Sequence, residues 1–167
     1  VIAMTRTSIR NALVTLGAVF ALAGCGGGGL KVIGTADVTT ATASSGFDFP
    51  QQVRLDGGAG TVTGTCQISR SASGAYGVVV DLYGNSQAQG RAVRSMTIMG
   101  HSPAAPGQID AELGPDTFTG TCNVITNVDE SRGLVGLQAT GCQISNAGET
   151  ASVDVNLNLE GCTVIAN

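Results

Sequence analysis

Cysteine, histidine and methionine carry the strongest intrinsic chemistry in this chain, and their spacing narrows what that chemistry can be. Cys25 ends an apolar run from Ala12 to Ala23 that follows Arg6 and Arg10. A short basic region before a short apolar run is the plan of a secretory signal, and it is too short for a spanning helix. The other four cysteines, Cys66, Cys122, Cys142 and Cys162, are even in number and follow that signal. Exported chains fold where thiols oxidise, so two disulfides are expected. Four free thiols would be unusual there, and zinc fits poorly, because none of these cysteines forms the close Cys-x-x-Cys pair of a structural zinc site.

The single histidine, His101, is the obvious general base. A Ser-His-Asp system needs a serine and a carboxylate converging on it. Ser102 is the next residue and points the other way in a strand, and there is no Gly-x-Ser-x-Gly elbow. Met96-Thr97-Ile98-Met99-Gly100-His101 has the thioether and imidazole donors that suit Cu(I). In a strand Met99 and His101 share a face, whereas Met96 joins Ile98 on the other, so Met96, Met99 and His101 are weak metal candidates. Asp110 and Glu112 share a strand face, and Asp129-Glu130 reads as a turn. No Asp-x-Asp-x-Asp-Gly loop is present, which excludes an EF-hand. No glycine pattern opens a helix after a strand to hold a phosphate. The expectation is a non-catalytic protein without a cofactor.

Leu22-Ala23-Gly24-Cys25 resembles the lipobox of bacterial lipoproteins. In that family the cysteine is acylated through its sulfur, the signal is cut before it, and the new amino terminus is acylated too. The resemblance implies residues 1–24 as signal peptide and Cys25 as the lipidation site and first mature residue; a start at Met4 gives the signal more ordinary proportions. It also implies a membrane partner through the anchor. Gly26 stands where an aspartate would resemble the inner-membrane retention signal of enterobacterial lipoproteins. The expected location is therefore the cell envelope, on the outer membrane where the host has one.

Removal of residues 1–24 leaves 143 residues, the size of one domain. Loss of Arg6 and Arg10 lowers the formal net charge from −4 to −6, with 6 Lys+Arg against 12 Asp+Glu. Nucleic acid is excluded as a partner, since counterion release needs a cation cluster. There is no tryptophan, so a lean Val/Leu/Ile core is expected, with disulfides as covalent support.

Residues 25–46, the acylated cysteine with Gly26 to Gly29 and a Thr/Ala/Ser-rich run, read as a tether with a span of roughly 25 Å. Leu30-Lys31-Val32-Ile33 is apolar enough to be a first strand instead. From Phe47 to Asn167 short β-rich runs alternate with turn signals at Gly57-Gly58, Ser73-Gly74, Gly84-Asn85, Pro103 to Gly107, Gly114-Pro115, Arg132-Gly133 and Ala147-Gly148. Val153 to Glu160 alternates apolar and polar without a break, the mark of a half-buried antiparallel strand. The expected fold is all-β, a single antiparallel β-sandwich of immunoglobulin-like size over 47–167.

Each paired cysteine follows a glycine directly or after one residue and precedes an aliphatic two positions on, as in Gly64-Thr65-Cys66-Gln67-Ile68 and Gly120-Thr121-Cys122-Asn123-Val124. In a strand that aliphatic shares the cysteine's face, and the glycine admits a bulge. One near Gly161 would return Cys162 to the apolar face. A turn near Arg132 sets Cys122 opposite Cys142, within disulfide reach. The Ala147-Gly148 turn sets Cys142 against Val153 rather than Cys162. The favoured pairs are Cys122–Cys142 and Cys66–Cys162.

Val62-Thr63-Gly64 before Cys66, with the final alternating strand ending in Cys162, faintly resembles the mycobacterial 19 kDa lipoprotein antigen family. The resemblance supports the Cys66–Cys162 pair; Cys122 and Cys142 lie outside it. Three functions stand in order: an interaction module for a protein, glycan or lipid; a carrier of a lipid or small apolar ligand; and a Cu(I) protein using Met99 and His101. Replacing Cys25 with Ala should leave the precursor unlipidated and move it from the detergent phase to the aqueous phase in a detergent-partition assay.

Overall fold

The computed structural model describes residues 29–55, 62–84, 91–103 and 105–165. The apolar run, Cys25 and the Gly57-Gly58 turn signal lie outside them. Eleven strands form one hydrogen-bonded sheet: β1 (Lys31–Thr39), β2 (Ser44–Arg54), β3 (Thr63–Arg70), β4 (Tyr76–Tyr83), β5 (Val93–Ser102), β6 (Pro106–Leu113), β7 (Asp116–Asn123), β8 (Ile125–Asp129), β9 (Leu134–Ser145), β10 (Thr150–Glu160) and β11 (Thr163–Ile165). Among the described residues one 3-10 turn (Glu130–Arg132) lies between β8 and β9. The protein is all-β, as its alternating segments require.

The sheet order is β11-β3-β4-β5-β6-β7-β9-β10-β1-β2, with β8 inserted between β5 and β9. Five strands therefore close into a ring, running β5-β6-β7-β9-β8 and back to β5. Two joints of that ring are narrow. β7 meets β9 only at Thr119–Ser145, and β8 meets β5, in parallel, only at His101–Ile125. The far arm of the sheet folds over, so that the backbone N–H of Val93 at the start of β5 donates to Ser45 Oγ on β2 at 3.0 Å.

Alternation decides which side chains go inside. β10 turns Ala151, Val153, Val155, Leu157 and Leu159 inward, and β4 turns Val78, Val80 and Leu82. β9 changes phase at Gly141, whose φ of 61° lies in the left-handed region. Its N–H donates to Asp154 Oδ1 at 2.8 Å, and the register with β10 shifts between Val153 and Val155. This bulge is the device expected beside the cysteines, and it delivers Cys142 and Ile144 to the core. Gly161, with φ of 89°, ends β10 and turns the buried Cys162 inward. Val164, expected inside with Cys162, is instead 39% exposed, because β11 is an edge strand on β3.

The tether expectation needs correction. Residues 31–39, which fall in the 25–46 tether although Leu30 to Ile33 stood open as a first strand, are a central strand paired with β10 on one side and β2 on the other. The domain thus begins near Lys31 rather than at Phe47. Val32, Ala36 and Val38 are fully buried. Thr35, Asp37 and Thr39 alternate with them, so weak hydrophobicity hid a true period of two.

Gly34 tests the pairing of β1 with β10. Its φ is 121°, and a Cβ there would lie 1.9 Å from the Asn156 carbonyl oxygen. Replacing Gly34 with Ala should cost about 3 kcal/mol, from backbone strain and overpacking together. Gly148 has open space around it, and Ala there should be near neutral. Urea denaturation of both variants measures the difference.

Candidate functional site

Two covalent bonds hold the walls that could carry a site. Cys66 on β3 pairs with Cys162 across 96 residues, with Cα atoms 4.7 Å apart. Cys122 on β7 pairs with Cys142 on β9 across 20 residues, with Cα atoms 5.6 Å apart. The second bond crosses the narrow β7–β9 joint. It sits three residues along each strand from Thr119–Ser145, so the cysteines face each other in the same register. The Arg132-Gly133 turn sets the β8–β9 register, with Asp129 opposite Leu134, which is one residue out of step with Thr119–Ser145. Gly120 makes the approach possible, since a Cβ there would lie 2.3 Å from the Gln143 carbonyl oxygen. Cys142 faces Val153 across β9 and β10.

The structure separates the metal candidates. Met96 is fully buried beside Ile98, whereas His101 is exposed on the opposite face of β5 and Met99 lies half-buried there. Met96 therefore cannot join the other two around one ion. Among the described residues no group of three or more His, Cys, Asp or Glu is placed to hold a metal. His101 and Ser102 point to opposite faces, as their adjacency requires.

The acids noted in the sequence serve neighbouring side chains. Glu130 accepts from the Tyr76 hydroxyl at 2.9 Å and pairs with Arg70 at 3.7 Å, while Arg70 lies over the Tyr76 ring. That carboxylate raises the Tyr76 hydroxyl's pKa above its usual value, chiefly through the hydrogen bond. Asp129 pairs with Arg132, and its pKa is lowered mainly by the hydrogen bond from Ser131.

Asp110 belongs to a feature that only the register reveals. Thr65, Asp81, Thr97, Asp110, Thr119 and Ser145 stand side by side across β3, β4, β5, β6, β7 and β9. Asp81 accepts from Thr65 at 3.0 Å and from Thr97 at 2.7 Å. Asp110 accepts from Thr119 and from both contacts of the Gln108 amide. These three threonines spend their single protons on carboxylates, so the row offers lone pairs outward. The signal in the sequence was alternation alone, which marks outward positions without saying which ones meet.

A second network lies at the opposite end of the molecule from the 3-10 turn. Arg91 bonds both Glu149 and Asp116 and sits over the Phe118 ring. These carboxylates raise the Arg91 pKa further above its usual value, which leaves it a permanent cation. The shallow groove beside them has a volume of about 520 Å³ and is lined by Pro115, Asn146 and Gly148 among others. A smaller one, of about 330 Å³, runs along β8, β9 and β10.

Asp37, Asp48 and Asp154 lie near one another on the outer face of β1, β2 and β10, with Asp37 directly opposite Asp154. Burial raises the Asp37 pKa first, then repulsion from Asp48, with a smaller push from Asp154; a hydrogen bond with Thr35 opposes them. A carboxyl whose pKa is higher folded than unfolded favours the native state when protonated and loses that contribution as pH rises through the folded value. Asp37→Asn should therefore stabilise the protein at pH 7, with the gain vanishing below the usual carboxylate range. Thermal melts across pH check the sign.

The two disulfides should differ in worth. Removing Cys66–Cys162 by paired alanine substitution should cost about 5 kcal/mol, and removing Cys122–Cys142 about 3 kcal/mol, on chain entropy alone. Comparison of the chain with known protein families, with curated proteins and with solved structures finds no match to any of them.

Proposed function

We propose that this is a lipid-anchored envelope protein, acylated at Cys25, whose β domain is a non-catalytic binding module. The observation that carries the binding-module part is the filled interior. Ile68, Leu82, Val93, Met96, Ile98, Ile109, Leu113, Phe118, Val124 and Ile144 are all 0% exposed. A void large enough for water would leave accessible surface on its lining, and these side chains have none. A carrier of a lipid or small apolar ligand needs such space among its inward residues. The chemistry available to a partner therefore lies on outward faces.

The folding of β2 over β5 supports a sandwich-like architecture in which the five-strand ring forms one closed part. The faint likeness to the 19 kDa lipoprotein antigen family supports the Cys66–Cys162 pair and carries no function with it. The acyl chains would hold the domain at the outer membrane where one exists, since each buried methylene adds about 0.8 kcal/mol.

Paired native and denatured mass spectra of protein taken gently from its envelope test this reading. The denatured mass should show cleavage before Cys25, the acyl groups and four hydrogens fewer than the reduced chain. The native spectrum should show no small molecule retained. A bound lipid of a few hundred daltons would favour the carrier, and an unacylated mass would overturn the anchor.

A further inference from the structure

The end of the domain nearest Cys25 is set apart by its charge. Lys31 begins β1 and lies beside Arg54 at the end of β2 in the strand register. Lys31 pairs with Glu160 at 3.1 Å, and Glu160 in turn feels Arg132, the last residue of the 3-10 turn. Arg70 reaches the same turn through Glu130. Lys31, Arg54, Arg70 and Arg132 thus gather at one end, where three acids, Asp129, Glu130 and Glu160, accompany them. The remaining described surface carries Arg91 and Arg94 against eight carboxylates. The domain is polarised, near balance at one end and strongly acidic elsewhere.

The same end holds exposed apolar side chains. Val164 and Ile165, at 39% and 40% exposure, lie on β11 beside Ile68 and Ser69, just before Arg70. Ile33, at 39% exposure, stands two residues into β1. Side chains of this mixture suit the boundary between lipid headgroups and water.

We propose that this end, bearing Lys31, Arg54, Arg70, Arg132, Val164 and Ile165, is the docking face for the lipid surface that holds the anchor. This inference rests on acylation of Cys25. The length of chain outside the described structure then supplies the constraint. Leu30 follows Cys25 by five residues, which span at most about 17 Å even when fully extended. The loose tether of roughly 25 Å expected from residues 25–46 is not available, because β1 already begins at Lys31. β10 runs about 33 Å from Thr150 to Glu160, so the Asn146–Glu149 turn lies much farther from the anchor. Anionic headgroups would repel the acidic sides and tolerate the anchor end, which selects one orientation from those the short link allows.

The chain has no tryptophan, so one introduced residue is a clean reporter. Full-length acylated protein carrying either Ile165→Trp or Ala147→Trp is placed in phosphatidylethanolamine/phosphatidylglycerol vesicles containing lipids spin-labelled near the headgroup. Both replaced side chains are exposed, and far-UV circular dichroism verifies the fold. Quenching at position 165 should exceed that at 147 several-fold, and Arg132→Glu should narrow the gap. Equal quenching, or stronger quenching at 147, would overturn the docking face while leaving the anchor intact. Failure of the protein to float with the vesicles would overturn the anchor and the docking face with it.

Discussion

A single sheet that must close on itself is the constraint on which this structure depends. Eleven strands in one continuous order leave two open edges, β11 and β2, and one apolar face that must be hidden from water. The crossing at Gly161 carries the chain from the end of β10 to β11 beside β3, where Cys162 bonds to Cys66. That bond joins β3 to the link between β10 and β11 and ties the last part of the chain to the first half. Reinforcement of the crossing is local. The N–H groups of Gly161 and Cys162 both donate to the Gly133 carbonyl, at 3.1 and 3.0 Å.

The five-strand ring meets the same problem on a smaller scale. Its β7–β9 and β5–β8 joints each rest on a single residue pair, so backbone pairing alone gives them little. Cys122–Cys142 supplies the first with a covalent bond. The second is filled by packing: a Cβ on Gly100 would lie 2.2 Å from the buried Thr126 hydroxyl, and Val124 is fully buried nearby. With so few aromatic residues and no tryptophan, close backbone approach and disulfides take the place of large side chains.

Legibility of this fold followed the strength of alternation. Val153 to Glu160 was plain as a strand because bulky and polar residues trade places without a break. The register of Cys142 against Val153 could be counted from its turn, and the facing of Cys122 and Cys142 to within one residue. β1 was obscured by its composition, since Gly34 and Ala36 mark inward and paired positions without looking hydrophobic. Ring closure could not be counted at all, because it depends on two isolated pairs far apart in the chain. The Thr65–Asp81–Thr97–Asp110–Thr119 row needs five strands in register before it exists. Separation of Met96 from Met99 and His101 required only the period of two.

The functional reading follows from what closure leaves available: a filled interior, outward rows of oxygen acceptors, and one end where cations collect. Cys66–Cys162 and Cys122–Cys142 together hold the folded sheet in place. Peptide mapping by mass spectrometry, without reduction, on the natively expressed protein checks both bonds. One linked peptide should join Cys66 to Cys162 and another Cys122 to Cys142. Linkage of Cys142 to Cys162, or a free thiol at Cys66 or Cys162, would contradict it.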